Sequence, residues 1–174
     1  MGHNLNSEIR RIEKWCNGKK SPPTKVDIFP TKRCNLNCKF CEFPNTDPEE
    51  YKSELETGEL LRIVKEARGM NVKTFGIIGG EPFIHKDMIK IMEKVKEGGM
   101  DGSITTNGTL LNDEKIKKII NMKWDLLRIS IDGIEKTHDK LRGKTGTFSK
   151  VIENINRFKQ DSRTYPTIEI NTVL

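Results

Sequence analysis

Leu126-Leu127-Arg128-Ile129-Ser130-Ile131-Asp132-Gly133 holds a mainly apolar run, Leu126 to Ile131, broken by Arg128 and Ser130, that ends abruptly at an Asp-Gly turn. So short a run of aliphatic residues reads as a strand, and its near-continuous apolar character suits a sheet covered on at least one face. Its neighbours decide how that sheet is wired. Upstream, Asn112 is placed to cap a helix whose first turn carries Asp113 and Glu114, where the dipole favours negative charge. Downstream, residues 147–159 set Phe148, Val151, Ile152, Ile155 and Phe158 on one helical stripe, and Thr167 to Leu174 begins another strand.

The same alternation runs back to Lys25. Lys25 to Thr31 reads as a first strand, and residues 57–68, with Leu60, Leu61, Val64 and Ala67, as a helix ended by Gly69. Phe75 to Ile78 is a second strand, residues 87–97 (Ile89, Met92, Val95) a helix ended by Gly98-Gly99, and residues 102–106 a third strand. Strands alternating with helices of this length specify parallel βα units, so the fold class is α/β. Four such units and a fifth strand fall short of an eight-fold barrel, which takes about 250 residues. The expectation is therefore a partial barrel of parallel strands, truncated after the fifth strand, with residues 25–174 forming its core.

Residues 1–24 form a separate helix and linker. Leu5, Ile9, Ile12 and Trp15 recur at helical spacing, Arg10, Arg11 and Lys14 take other faces, and Asn17-Gly18 and Ser21-Pro22-Pro23 follow. The stripe is expected to pack on the main domain and to bury Cys16 with it. Composition suits a globular chain, with 34% hydrophobic and 32% charged residues. A net charge of +6 could suit nucleic acid, but Lys65-Glu66, Glu93-Lys94 and Lys96-Glu97 read as solvated helix faces, and no aromatic ladder accompanies the charge. Nucleic acid is thus not expected as a partner. No span approaches the roughly 20 apolar residues of a membrane helix, the amino terminus lacks a signal-peptide core, and Asn6 breaks a myristoylation motif. The expected location is the cytoplasm, without a membrane partner.

A chemically loaded turn follows each strand: Cys34 to Cys41 after the first, Gly79-Gly80-Glu81-Pro82 after the second, Asn107-Gly108 after the third and Asp132-Gly133 after the fourth. In parallel α/β folds those ends meet on one rim, where ligands bind. Taken singly, each glycine-rich segment is an ordinary turn. The cysteines change the balance, because three of the chain's four occupy one eight-residue stretch, CNLNCKFC. Positions i, i+4 and i+7 share a helix face, but Asn35, Asn37 and Pro44 favour a loop. Clustered thiols in a cytosolic chain point to metal or cluster ligation rather than disulfides. Three thiolates can hold three corners of a cubane iron-sulfur cluster and leave one iron open. The rivals are a structural zinc site or a closed cluster with Cys16 as fourth ligand, which the proline linker disfavours. His3, His85 and His138 lack acidic or cysteine partners at ligand spacing and read as solvent-facing or locally hydrogen-bonded.

CNLNCKFC resembles the cluster motif of the radical S-adenosylmethionine (SAM) superfamily, including the aromatic Phe40 before the last cysteine. Gly79-Gly80-Glu81-Pro82 resembles that family's GGEP motif, Thr106-Asn107-Gly108 its third-strand segment, and Ser130-Ile131-Asp132-Gly133 its fourth-strand segment. His138-Asp139-Lys140-Leu141-Arg142-Gly143 with Gly146-Thr147-Phe148 is similar to peptide-modifying members of the SPASM type. The resemblance covers about Lys25 to Leu174. It implies a 4Fe-4S cluster held by Cys34, Cys38 and Cys41, with SAM chelating the open iron. In related enzymes one electron enters the sulfonium, releasing methionine and a 5′-deoxyadenosyl radical that abstracts hydrogen from substrate.

Roles follow by resemblance and charge. Gly79 and Gly80 would let backbone approach the methionine moiety, Glu81 would meet its ammonium, and Arg142 its carboxylate. Ser130 and Asp132 would face the ribose, the backbone near Phe40 the adenine, and Asn107 and Asn171 further parts of the cofactor. The resemblance also implies a one-electron donor such as flavodoxin or ferredoxin, and a peptide or small-molecule substrate. Peptide maturation leads over cofactor biosynthesis of the molybdopterin-precursor type. The family's usual barrel has six βα units, so a chain ending in the fifth strand is expected to bind a cluster poorly unless its open edge is covered.

Overall fold

The computed structural model describes residues 5–161 and 164–173. Its elements run in the order α1 (Leu5–Cys16), β1 (Lys25–Ile28), α2 (Thr57–Gly69), β2 (Thr74–Ile77), α3 (Met88–Glu97), β3 (Asp101–Thr106), α4 (Asp113–Asn121), β4 (Leu126–Ser130), α5 (Lys136–Arg142), α6 (Thr147–Asp161) and β5 (Thr167–Asn171). Short 3-10 helices occupy Phe43–Asn45, Pro48–Ser53 and Pro82–Ile84. The five strands form one open parallel sheet in chain order, β1 and β5 at its edges. This is the partial βα barrel wall that the alternation predicts.

Side chains alternate across a strand, so the sheet has two unlike faces. Ile28, Phe75, Ile77, Ile104, Leu127 and Ile129 point to the helices and merge with Leu60 and Val64 of α2, Ile91 and Val95 of α3, Ile116 and Ile119 of α4, and Val151 and Phe158 of α6. Trp124, fully buried, extends this core and donates its Nε1–H to the Leu126 carbonyl at 3.0 Å. The opposite face carries Asp27, Gly76, Ser103, Thr105, Arg128, Ser130, Glu169 and Asn171, as the strand register requires. Right-handed crossovers put every covering helix on one side and leave the polar face as the concave wall.

Boundaries shift for local reasons. β1 stops at Ile28 rather than Thr31, because Pro30 has no N–H for the ladder and Thr31 turns its hydroxyl to Glu54 Oε1 (2.6 Å). Asn112 caps α4 as expected, accepting from the Lys115 N–H at 2.9 Å. The expectation that α1 packs on the domain is corrected. Ile9, Ile12 and Trp15 stand 44%, 53% and 49% exposed, and Cys16 is exposed rather than buried. The shell over the sheet is already filled by α2, α3, α4 and α6, and α1 is tethered instead by Arg11 Nη1 donating to Thr24 Oγ1 (2.9 Å) and Trp15 Nε1 to the Ser21 carbonyl (3.4 Å). His3 and Leu174 lie outside the described residues.

Candidate functional site

Beyond β1 the chain leaves the sheet and lies across the end of β2. Gly80 N donates to the Thr31 carbonyl (3.0 Å) and Glu81 N to the Arg33 carbonyl (2.8 Å). A Cβ on Gly79, at φ +129°, would stand 2.7 Å from the Thr31 oxygen, and one on Gly80 would overlap the Arg33 carbonyl. The clearance these glycines provide is therefore taken up by the lead-in to the cysteine loop.

That loop is not helical. Cys38 is buried, Cys34 and Cys41 are half-buried, and all three are free thiols. Asn107 Nδ2 points to Cys34 Sγ at 3.8 Å and Arg142 Nη1 to Cys38 Sγ at 3.7 Å. Burial pushes both thiols up, while the Leu36 N–H and Asn107 at Cys34, and the Arg142 charge at Cys38, pull the other way. In the ligand-free chain these groups carry protons that a metal would displace. Among the described residues no three His, Cys, Asp or Glu side chains converge on a point that would hold one metal ion. An iron-sulfur cluster asks for a wider set, since each thiolate takes its own iron, and three soft donors on one exposed-edged loop fit that group. Cys16 lies in α1, beyond the linker, and its thiol is exposed.

Phe40, Ser130, Asp132, Arg142 and Asn171 come together. With Ile170, Thr172 and Val173 they line a cavity of about 590 Å³ at the carboxyl ends of β4 and β5, beside the cysteine loop. Asp132 is buried, its Oδ1 accepting from the Val173 N–H (2.9 Å) and its Oδ2 lying 2.7 Å from Arg142 Nη2. Arg142 also spans the Phe40 ring, 5.4 Å from its centroid, and its buried Nε has no hydrogen-bond partner among the described residues.

Gly79, Gly80, Glu81 and Asn107 form a second group at the ends of β2 and β3, on the Cys34 side. Glu81 is fully buried. Its Oε1 accepts from Phe83 N (3.1 Å) and Thr106 Oγ1 (2.8 Å), and its Oε2 from Asn107 N (2.8 Å). Burial pushes this carboxyl up, and the three donors offset part of that. Asn107 in turn donates to Asn35 Oδ1 (2.9 Å), so β3 also braces the loop.

Sequence reasoning left α5 without a place. Its His138 is 1% exposed, accepts the Asp132 N–H on Nδ1 (3.2 Å) and meets Phe148 edge-on. That is the locally hydrogen-bonded role expected of it. His85 is likewise local, accepting from Asp87 N at 3.3 Å. Asp139 accepts from Gly146 N (2.6 Å), Thr147 Oγ1 (2.7 Å) and Phe148 N (2.8 Å), which caps α6. The Asp139…Gly-Thr-Phe spacing is the signal that would have located this cap.

A family model described as the Radical SAM superfamily matches residues 28–173. The chain is 31% identical over 131 residues to the Fe-coproporphyrin III synthase of Methanosarcina barkeri, covering 75% of this chain and 33% of that protein. It is 31% identical over 156 residues to a probable GTP 3′,8-cyclase of Pyrococcus horikoshii, covering 88% of this chain and 47% of that protein. It thus spans between a third and a half of the length of these curated relatives. Among solved structures, Streptococcus suis SuiB bound to S-adenosylmethionine matches with a TM-score of 0.78 at 21% identity, over 99% of this chain and 40% of that one. SuiB is also known bound to its precursor peptide SuiA. At that identity the likeness shows the fold, and the fold is the open parallel wall described above.

Proposed function

The chain belongs to the radical SAM superfamily, and on that premise we propose that it is the amino-terminal part of a radical SAM enzyme core, with a 4Fe-4S cluster on Cys34, Cys38 and Cys41 and SAM in the adjoining cavity. The observation that carries this reading is the meeting of three free thiols and the Phe40–Asn171 cavity on one rim of the sheet. The chemistry supplied by the bound cofactors is one-electron cleavage of the SAM sulfonium to methionine and a 5′-deoxyadenosyl radical.

The chain's own residues bind and orient. Glu81, fully buried with both oxygens accepting from Phe83, Thr106 and Asn107, holds the wall behind Cys34 on which the loop rests. Arg142 keeps its Nε for the SAM carboxylate while Asp132 holds the other end of its fork. Ser130 and Asn171, paired in register across β4 and β5, offer side chains to the ribose, and the backbone at Phe40 lies beside the adenine position. Below this layer, the Arg128–Glu169 ion pair (2.9 Å), Thr105 and Ser103 give the concave wall a polar lining suited to a hydrogen-bonding substrate.

Peptide modification is the favoured outcome, on the similarity of residues 138–148 to peptide-modifying members. Modification of a small molecule is the second reading, favoured by the two curated relatives at 31% identity. A flavodoxin or ferredoxin is the proposed electron donor, and the cytoplasm the proposed location. Anaerobic iron and sulfide reconstitution of the longer enzyme proposed to contain this chain, then SAM with dithionite, is expected to yield 5′-deoxyadenosine. No product from cluster-loaded protein, or product unaffected by Cys38→Ala, overturns the proposal.

A further inference from the structure

The cysteine loop hangs from a turn more than a hundred residues away. The Lys39 N–H donates to the Leu141 carbonyl at 2.9 Å, the Arg142 guanidinium reaches Cys38 Sγ and covers Phe40, and Gly143 lies flat against Asn37. A Cβ on Gly143 would overlap the Asn37 carbonyl oxygen and stand 2.9 Å from its carbon. The turn is itself fixed from elsewhere. His138 ties α5 to the end of β4, Asp139 ties it to α6, and Asp132 fixes Arg142. None of these anchors belongs to the cysteine loop, so the turn has its shape whether or not metal is present.

We infer that the Leu141-Arg142-Gly143 turn is a preformed clamp that holds the centre of the cysteine loop in its ligating shape before a cluster arrives, with Gly143 as its positioning residue. A loop with only its ends tied must be ordered at the moment of metal binding, whereas a clamped loop is ordered when the chain folds. Gly143 is required on two grounds. Its φ of +71° closes α5 in the left-handed region, and only hydrogen fits between it and Asn37. The inference rests on the cluster reading for its purpose but not for its geometry.

Gly146 supplies the control. It has a similar positive φ, +82°, yet a Cβ there meets nothing within 4 Å, so Gly146→Ala carries the backbone strain without the collision. In the iron-free chain, Gly143→Ala is expected to speed exchange of the Lys39 amide and alkylation of buried Cys38 by on the order of tenfold, with Gly146→Ala near wild type. After anaerobic reconstitution, Gly143→Ala should hold less iron and give a weaker, broadened electron paramagnetic resonance signal when reduced. Equal behaviour of the two variants in the iron-free chain overturns the clamp. Should Gly143→Ala fail to fold, Asp139→Ala, whose side chain does not touch the loop, is expected to expose the Lys39 amide while leaving Ile104 in β3 protected. A Lys39 amide that stays protected there overturns it as well. Failure of the wild-type chain to take up iron counts against the cluster, and the iron-free comparison still decides the clamp.

Discussion

Glu81 and Asp132 are both buried carboxylates at the rim, one at the ends of β2 and β3, the other at the ends of β4 and β5, and they are held in opposite ways. Glu81 is satisfied by neutral donors, two backbone N–H groups and the Thr106 hydroxyl. Asp132 is balanced by a cation, Arg142, with one backbone N–H besides. The first arrangement makes a staple, joining two strand ends and the Pro82–Ile84 turn into a wall behind Cys34. The second makes a charge pair whose cation also faces a thiol and an open cavity. One half of the rim is finished by folding, and the other retains unused hydrogen-bonding capacity.

Breaking the charge pair should show the larger effect. Arg142→Met leaves Asp132 buried without its cation and is expected to lower the unfolding free energy by about 3 kcal/mol in urea titration. Adding Asp132→Asn should restore a good part of that, because the stranded charge is gone. Equal loss in the single and double variants would mean that the two side chains act independently. The staple should yield less: Glu81→Gln keeps one acceptor oxygen but turns an amide toward a buried donor, for a loss of about 2 kcal/mol with no charge partner able to rescue it.

His138 adds a pH dependence to the charged half. Burial, and then the Arg142 charge, hold its pKa below the usual value. The fold therefore favours the neutral ring. Its contribution is complete above the unfolded value of about 6.5 and is lost as pH falls through that value toward the lower folded one. Melting curves between pH 7.5 and about 5.5 should show stability dropping by up to about 1 kcal/mol per pH unit from this group. His138→Asn should flatten that slope, and an unchanged slope would assign it elsewhere. The smallest effect belongs outside the rim: Ile12→Asp in α1 should shift stability by less than about 0.5 kcal/mol, since Ile12 is 53% exposed. A larger loss would mean that something covers α1.

The strand–helix alternation was legible because each unit carries its own signals: Asn112 as a cap, Gly98-Gly99 as a stop, Leu126–Ile129 as a covered strand. Gly69, expected to end α2, lies inside it, and the turn falls on Met70 and on Asn71, the latter at φ +57°. The thiol loop was legible because Asn35 and Asn37 oppose a helix. What escaped was tertiary. Nothing local in Ile9, Ile12 and Trp15 reveals that α2, α3, α4 and α6 already fill the shell, and an amphipathic stripe looks the same whether or not a partner exists. The α5 segment has only seven residues, too short for a periodic pattern, and its purpose lies in contacts with residues 37–40. Of the residues that line the cavity, Phe40, Ser130, Asp132, Arg142 and Asn171 were named by resemblance, whereas Ile170, Thr172 and Val173 were not. Their convergence could be anticipated only from the rule that parallel strand ends share a rim.

The central claim, an open cluster site on Cys34, Cys38 and Cys41, is tested most directly by metal and sulfide analysis of the anaerobically reconstituted chain beside its Cys38→Ala and Cys16→Ser variants. The account predicts iron and sulfide in equal amounts, up to about four of each per chain, in the wild type, the same in Cys16→Ser, and loss of both in Cys38→Ala. About one zinc per chain without sulfide, lost in Cys16→Ser, would contradict it.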